Sequence, residues 1–176
     1  QFTPNYLRQG DIADLDLPRM ESGARRMIAQ RAFQEIRRGA TVNLGIGLPE
    51  GIAQIAMETG KIEAMTLTVE SGPIAGVPAS GLSFGAATFP QAIIDQPYMF
   101  DFYDGGGLDI AFLGMAEVDQ VGNVNVSKFS GRIAGVGGFM NITQTTQKVI
   151  FTGTFTSGGL QVEFKEEKLA IIQEGK

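Results

Sequence analysis

At 176 residues the chain is long enough to bury one sizeable hydrophobic core, and 43% hydrophobic with 19% charged residues is an ordinary globular composition, apart from 24 glycines that signal tight turns or close backbone approaches. A net charge of −5 excludes a general nucleic-acid binder, which needs a concentrated basic face. With neither cysteine nor histidine, the chain has no disulfides, thiolate nucleophiles, imidazole bases or usual zinc ligand sets, and no apolar run approaches the roughly 18 residues of a membrane span.

No charged-then-apolar secretion signal opens the chain, so the expected location is cytoplasmic, and Gln1 in place of Met predicts a processed chain or part of a longer one. Residues 1–20, with Pro4, Gly10 and Pro18, read as an extended lead-in or linker. A helix is predicted over 23–38: Ser22 is its N-cap, and Ile28, Ala29, Ala32, Phe33 and Ile36 recur at helical spacing. Arg37 and Arg38 suit its carboxyl end and Gly39 closes it. Arg25, Arg26, Arg31, Arg37 and Arg38 read as its solvated side or as a local anion contact. Thr41 to Ile46 is a short buried strand, the turn GIGLPEG follows, and a second helix runs from Pro49 to Thr59 with Gly60 as terminator. Further strands are expected over Met65–Val69, Leu108–Met115, Asn123–Phe129 and Lys148–Phe155. These runs do not alternate, which suits a sheet covered on both faces. LQVEF and KLAII flank Lys165-Glu166-Glu167-Lys168 as an antiparallel hairpin. The sum is an α/β domain with a mostly parallel central sheet and an antiparallel addition.

Gly45-Ile46-Gly47-Leu48-Pro49-Glu50-Gly51 superficially resembles a dinucleotide fingerprint, but Glu50 stands where the third glycine belongs and would repel a pyrophosphate. Gly131 with Gly135-Val136-Gly137-Gly138-Phe139 is either a tight loop or a nest of convergent N–H groups able to stabilise a negative oxygen. Gly105-Gly106-Gly107 reads as a plain turn. Glu70 ends the run Met65–Val69. Alone it reads as a solvated strand end, but in open α/β sheets ligands bind beyond the carboxyl ends of strands, where this run delivers it. Covalent catalysis here falls to Ser, Thr, Lys, Tyr or a carboxylate, and a carboxylate needs no base to ionise.

MTLTVESGPIAG, with NLGIGLP upstream and GRIAGVGGF downstream, resembles the catalytic, beta-type half of family I coenzyme A transferases, in particular the fused-chain acetoacetate or propionate type. The likeness runs from about Leu17 through FDFYDGGGLDIAFLGMAEVDQVGNVNV to KLAIIQEGK. It implies an open three-layer α/β/α fold, with 21–176 as the catalytic domain, an incomplete part of a longer enzyme, and 1–20 as an inter-half segment. It also implies a ping-pong transfer of CoA between a short-chain acyl-CoA and a small carboxylic acid, through a covalent thioester on Glu70. Gly138, and with it Gly137, matches the glycine segment that supplies a backbone oxyanion donor. Gly45, Gly47 and Pro49 match the turn near the nucleophile and are expected, with Ser71 and Gly72, to contact substrate. CoA is then a substrate, with no tightly bound cofactor and no metal. The implied partners are an amino-terminal, alpha-type half and further copies of the enzyme, with neither nucleic acid nor membrane. Phe84, Phe89, Tyr98, Phe100 and Phe102 line an acyl pocket or belong to the core. Two alternatives share the scaffold: an acyl-CoA hydrolase using the same glutamate, and a non-catalytic ligand-binding domain. A sugar-phosphate isomerase on a related fold expects a basic phosphate pocket, for which GLPEG and SGPIAG offer no Lys or Arg.

Overall fold

The computed structural model describes residues 3–7, 10–15, 19–129, 131–154 and 158–175. In chain order its elements are α1 (Ala24–Phe33), β1 (Thr41–Leu44), α2 (Glu50–Glu58), β2 (Thr66–Thr68), β3 (Pro73–Ile74), β4 (Val77–Pro78), β5 (Ala87–Thr88), β6 (Ala92–Ile93) and α3 (Gln96–Asp104). They continue as β7 (Ile110–Gly114), β8 (Glu117–Val118), β9 (Val124–Asn125), β10 (Lys128–Phe129), β11 (Arg132–Ile133), α4 (Phe139–Thr145), β12 (Lys148–Thr152), β13 (Gln161–Lys165) and β14 (Lys168–Gln173). The central sheet has the order β12-β7-β1-β2-β3-β6. Its first four strands are parallel, and β3 and β6 add an antiparallel edge.

Alternation along the parallel strands builds two cores. Val42, Leu44, Leu67, Ile110 and Phe112 face one side and pack with Ala32 of α1 and Ile52, Ala53 and Ala56 of α2. Ala111 and Leu113 face the other, with Met99 and Tyr103 of α3 and Ile142 of α4. Helices thus cover both faces of the sheet, the three-layer arrangement that its apolar strands require. Among the described residues no helix is long and apolar enough to cross a membrane.

Several expected boundaries change. The first helix ends at Phe33 rather than residue 38, and its N-cap is Gly23, without a side-chain cap from Ser22. Beyond it Glu35 and Ile36 donate to the carbonyls three residues back, the tighter pattern that closes a helix, and Ile36 packs against the core. Arg37 and Arg38 therefore lie outside the helix. Asn123–Phe129 is two short pieces, β9 and β10, which pair with β8 and β11 outside the central sheet. The cause is Asn125, whose carboxamide accepts from the Ser127 and Lys128 amides and donates to the Lys128 carbonyl, offering the backbone a local turn in place of a ladder. The last predicted sheet strand ends at Thr152, and Phe155, like Pro18, lies outside the described residues. The hairpin forms as expected, turning through Glu166 and Glu167 at φ 48° and 61°, the paired left-handed conformations of a two-residue hairpin turn. Described residues of the lead-in form turns at Pro4–Tyr6 and Ile12–Asp14, with Ile12 and Leu15 packed on the core.

Candidate active site

β2 stops at Thr68 because the chain reverses at once into β3. Val69 donates to the Pro73 carbonyl (3.0 Å) and Gly72 to the Val69 carbonyl (2.9 Å). Gly72 has φ 130°, and a Cβ there would lie 1.9 Å from the Ile94 oxygen, so this reversal needs glycine. Glu70 sits at the tip of the turn, half-buried, on the same side of the sheet as Thr68 two residues earlier.

Beneath it runs a chain of polar groups set by strand register. Asn43 of β1 pairs with Thr68 of β2 and is 0% exposed. Its Nδ2 donates to Glu70 Oε2 at 3.1 Å and to Tyr103 Oη at 3.3 Å. The Tyr103 hydroxyl donates to Thr68 Oγ1 (2.9 Å), which donates to the Val42 carbonyl (3.1 Å). Burial pushes the Tyr103 hydroxyl up to about 12, and the nearby Glu70 charge pushes the same way, so it stays a neutral donor at any ordinary pH. Asn43 Oδ1 is buried and has no partner among the described residues. Such an orphan acceptor costs about 1–3 kcal/mol. Turning the amide over would put that oxygen against the Glu70 carboxylate, so the carboxylate fixes the orientation.

Glu70 opens into a cavity of about 400 Å³. The carboxyl ends of three adjacent parallel strands supply its floor: Gly45 and Ile46 after β1, Glu70 after β2, and Gly114, Met115 and Ala116 at β7. Phe84, Leu113, Val126, Phe129, Val136, Gly138, Phe139 and Ile142 complete it. Among the described residues Glu70 carries the one ionisable side chain on this wall; the others are apolar or glycine. Gly138 caps α4, and its N–H has no acceptor among the described residues.

The fold therefore gathers Glu70, Gly45, Gly138 and Phe84 around one cavity. Gly137, Gly47, Pro49, Ser71 and Gly72 lie off its wall. Gly137 is exposed at φ 52° and gives the loop its turn into Gly138. Gly47 donates its N–H to Glu50 Oε1 at 2.9 Å, so the GIGLPEG turn is closed by its own carboxylate. Pro49 is buried at the start of α2. Ser71 donates to the Gly85 carbonyl, tying the Glu70 turn to the loop carrying Phe84. Of the other aromatics, Phe89 is core, Phe100 packs edge-on against Tyr103 at 5.9 Å, and Tyr98 and Phe102 are exposed. Sequence reasoning missed Asn43, Thr68 and Tyr103. One signal was present: asparagine inside the apolar run TVNL is a polar group that a buried strand must satisfy.

The chain is 48% identical over 166 residues to acetate CoA-transferase YdiF of Escherichia coli (strain K12), matching 94% of this chain and 31% of that protein. It is 34% identical over 142 residues to acetate CoA-transferase subunit beta of the same strain, matching 72% of this chain and 62% of the subunit. It superposes with a TM-score of 0.73, at 45% identity, on the thioester complex with CoA of the acyl-CoA transferase YdiF from Escherichia coli O157:H7, covering 92% of this chain and 30% of that one. The chain belongs to the family I coenzyme A transferases. Within this CoA-transferase family it corresponds to the beta-type half, and it spans about 31% of the length of the longer relative. No family model matches the chain.

Proposed function

We propose that this chain carries the nucleophile of an acyl-CoA:carboxylate CoA-transferase, and that Glu70 is that nucleophile. The observation that carries the reading is that, among the described residues, one carboxylate stands on an otherwise apolar cavity wall that also holds Gly138, whose N–H has no acceptor among those residues. An apolar wall strips water from the carboxylate and discourages hydrolysis of whatever forms on it, which favours transfer over thioester hydrolysis. Glu70 Oε1 attacks the thioester carbonyl, and the tetrahedral oxyanion takes a hydrogen bond from Gly138. Collapse expels CoA thiolate and leaves an acyl-glutamyl anhydride. The thiolate then adds to Glu70 Cδ, releasing the donor acid and leaving a glutamyl-CoA thioester. An acceptor acid reverses both steps. One thioester replaces another, so the exchange is close to thermoneutral.

CoA is a substrate in this reading, not a resident cofactor. The amino-terminal, alpha-type half completes the site, and Val136 of the cavity lining, with exposed Ile133 and Met140 near it in sequence, offers it an apolar face. Further self-association and a cytoplasmic location belong to the same proposal. Glu70→Gln tests it in the complete enzyme: turnover falls on the order of 10⁴ or more, with acyl-CoA still bound. Turnover at the parent rate overturns it.

A further inference from the structure

This inference rests on Glu70 as nucleophile and concerns a second oxyanion that the reaction must build. When CoA thiolate adds to Glu70 Cδ, the C–S bond forms and the Cδ=O electron pair moves onto the oxygen that did not attack. As that pair returns, the Cδ–Oε1 bond breaks and the donor acid leaves with Oε1. The negative oxygen is then Oε2 of Glu70 itself, not an oxygen of the substrate, and it needs a donor of its own. We infer that Asn43 is that donor: its Nδ2 stands 3.1 Å from Oε2 in the resting site, which leaves Oε1 as the attacking atom. This is the distance at which an oxyanion donor acts.

The amide is held for the task. Its second N–H is engaged by Tyr103 Oη at 3.3 Å, and Tyr103 is fixed in turn by donating to Thr68. Asn43 sits on a central strand rather than a loop and is 0% exposed, so the donor neither swings away nor is shared with water. Because it is a neutral amide, it keeps its hydrogens at every working pH. The bond to Oε2 exists before the reaction starts, so the environment need not reorganise as charge develops. Asn43 is thus a catalytic residue acting on a reacting atom, and Tyr103 is a positioning residue acting through it.

The test uses the complete enzyme with acetyl-CoA as donor and acetate as acceptor, following by quenched-flow mass spectrometry how fast CoA becomes attached to Glu70 and how fast acetate removes it. Asn43→Ala is expected to slow both about 10²–10³-fold, with KM for acetyl-CoA little changed. Hydroxylamine attack on the preformed adduct slows alike, because it builds the same oxyanion. Tyr103→Phe keeps the ring and slows these steps less, by about 3- to 10-fold. Should Asn43→Ala not fold, Asn43→Ser, too short to reach Oε2, carries the same expectation. Adduct formation and removal at the parent rates in these variants overturn the inference, as does a loss confined to acetyl-CoA binding. If the parent itself forms no adduct on Glu70, the nucleophile assignment fails first, and the two failures are distinct.

Discussion

Tyr103 shows how one residue links folding to chemistry. It is wholly buried, packs edge-on with Phe100, and anchors the carboxamide under Glu70. Its hydroxyl, near 10 in an unfolded chain, is raised to about 12 in the fold, so the native state holds the proton more tightly. The associated stability is complete below about pH 10 and is lost as pH rises through 12, by about 2–3 kcal/mol. Denaturant midpoints measured across this range should fall in the parent and stay flatter in Tyr103→Phe. Gly72 is the other residue on which the site depends: at φ 130° and with no space for a Cβ, Gly72→Ala should destabilise the fold by more than about 2 kcal/mol in thermal or chemical unfolding and disrupt the Glu70 turn. At this scale the placement of Glu70 just past a strand and of Gly138 in a glycine-rich loop was legible, because a distinctive local sequence marks each. Asn43 and Tyr103 were not, since they meet Glu70 and each other across 27 and 60 residues, through a register that no local pattern displays.

Among the elements, α1 and α2 are joined by a fork of charge. Arg26 grips both oxygens of Glu58, at 3.1 and 2.6 Å, and Glu58 Oε1 also accepts from the Met20 amide. The Arg26 hydrogen bonds, and then that of Met20, hold the Glu58 carboxyl below its ordinary range. A lowered value means stability that is present above the unfolded value, about 4.3, and lost as pH falls through the folded one. Acid unfolding should therefore begin at higher pH in Arg26→Gln than in the parent, as read by far-ultraviolet circular dichroism. The strand–turn–helix unit β1–α2, the strand β2 and the terminal hairpin were readable because their apolar runs are bounded by Gly or Pro. Helices α3 and α4 were not anticipated. Aromatics at positions 98, 100, 102 and 103 obscure the helical period of α3, although Pro97 at its start and Gly105 at its end are ordinary boundary signals. The short α4, rich in Thr, Asn and Gln, has little propensity and is held by packing Ile142 into the core.

For the molecule as a whole, the two cores differ in use. The α1/α2 side packs an apolar cluster, whereas the α3/α4 side carries the polar chain beneath Glu70 and the cavity that Glu70 faces. Phe112, fully buried in the α1/α2 core, should cost about 3–5 kcal/mol when truncated to alanine, read as a lower unfolding midpoint. The far end of the chain has the opposite character, because β13 and β14 expose Phe164, Leu169, Ile171 and Ile172. A lone two-stranded hairpin is marginal in water, so this exposed apolar face is suited to being covered by another polypeptide surface. The α/β class and a sheet covered on both faces were legible from non-alternating strands, and the α/β/α layering came from the family resemblance. Where the small outer ladders go was not, because side-chain turns such as that of Asn125 decide it.

The proposed chemistry requires a covalent bond between Glu70 and CoA. The complete enzyme, quenched after mixing with acetyl-CoA and without acceptor acid, digested and weighed peptide by peptide, should show CoA joined with loss of water to the peptide holding Glu70, with fragmentation placing it on that side chain. Attachment at any other residue, or an unmodified Glu70 while acetyl-CoA is consumed, would contradict it.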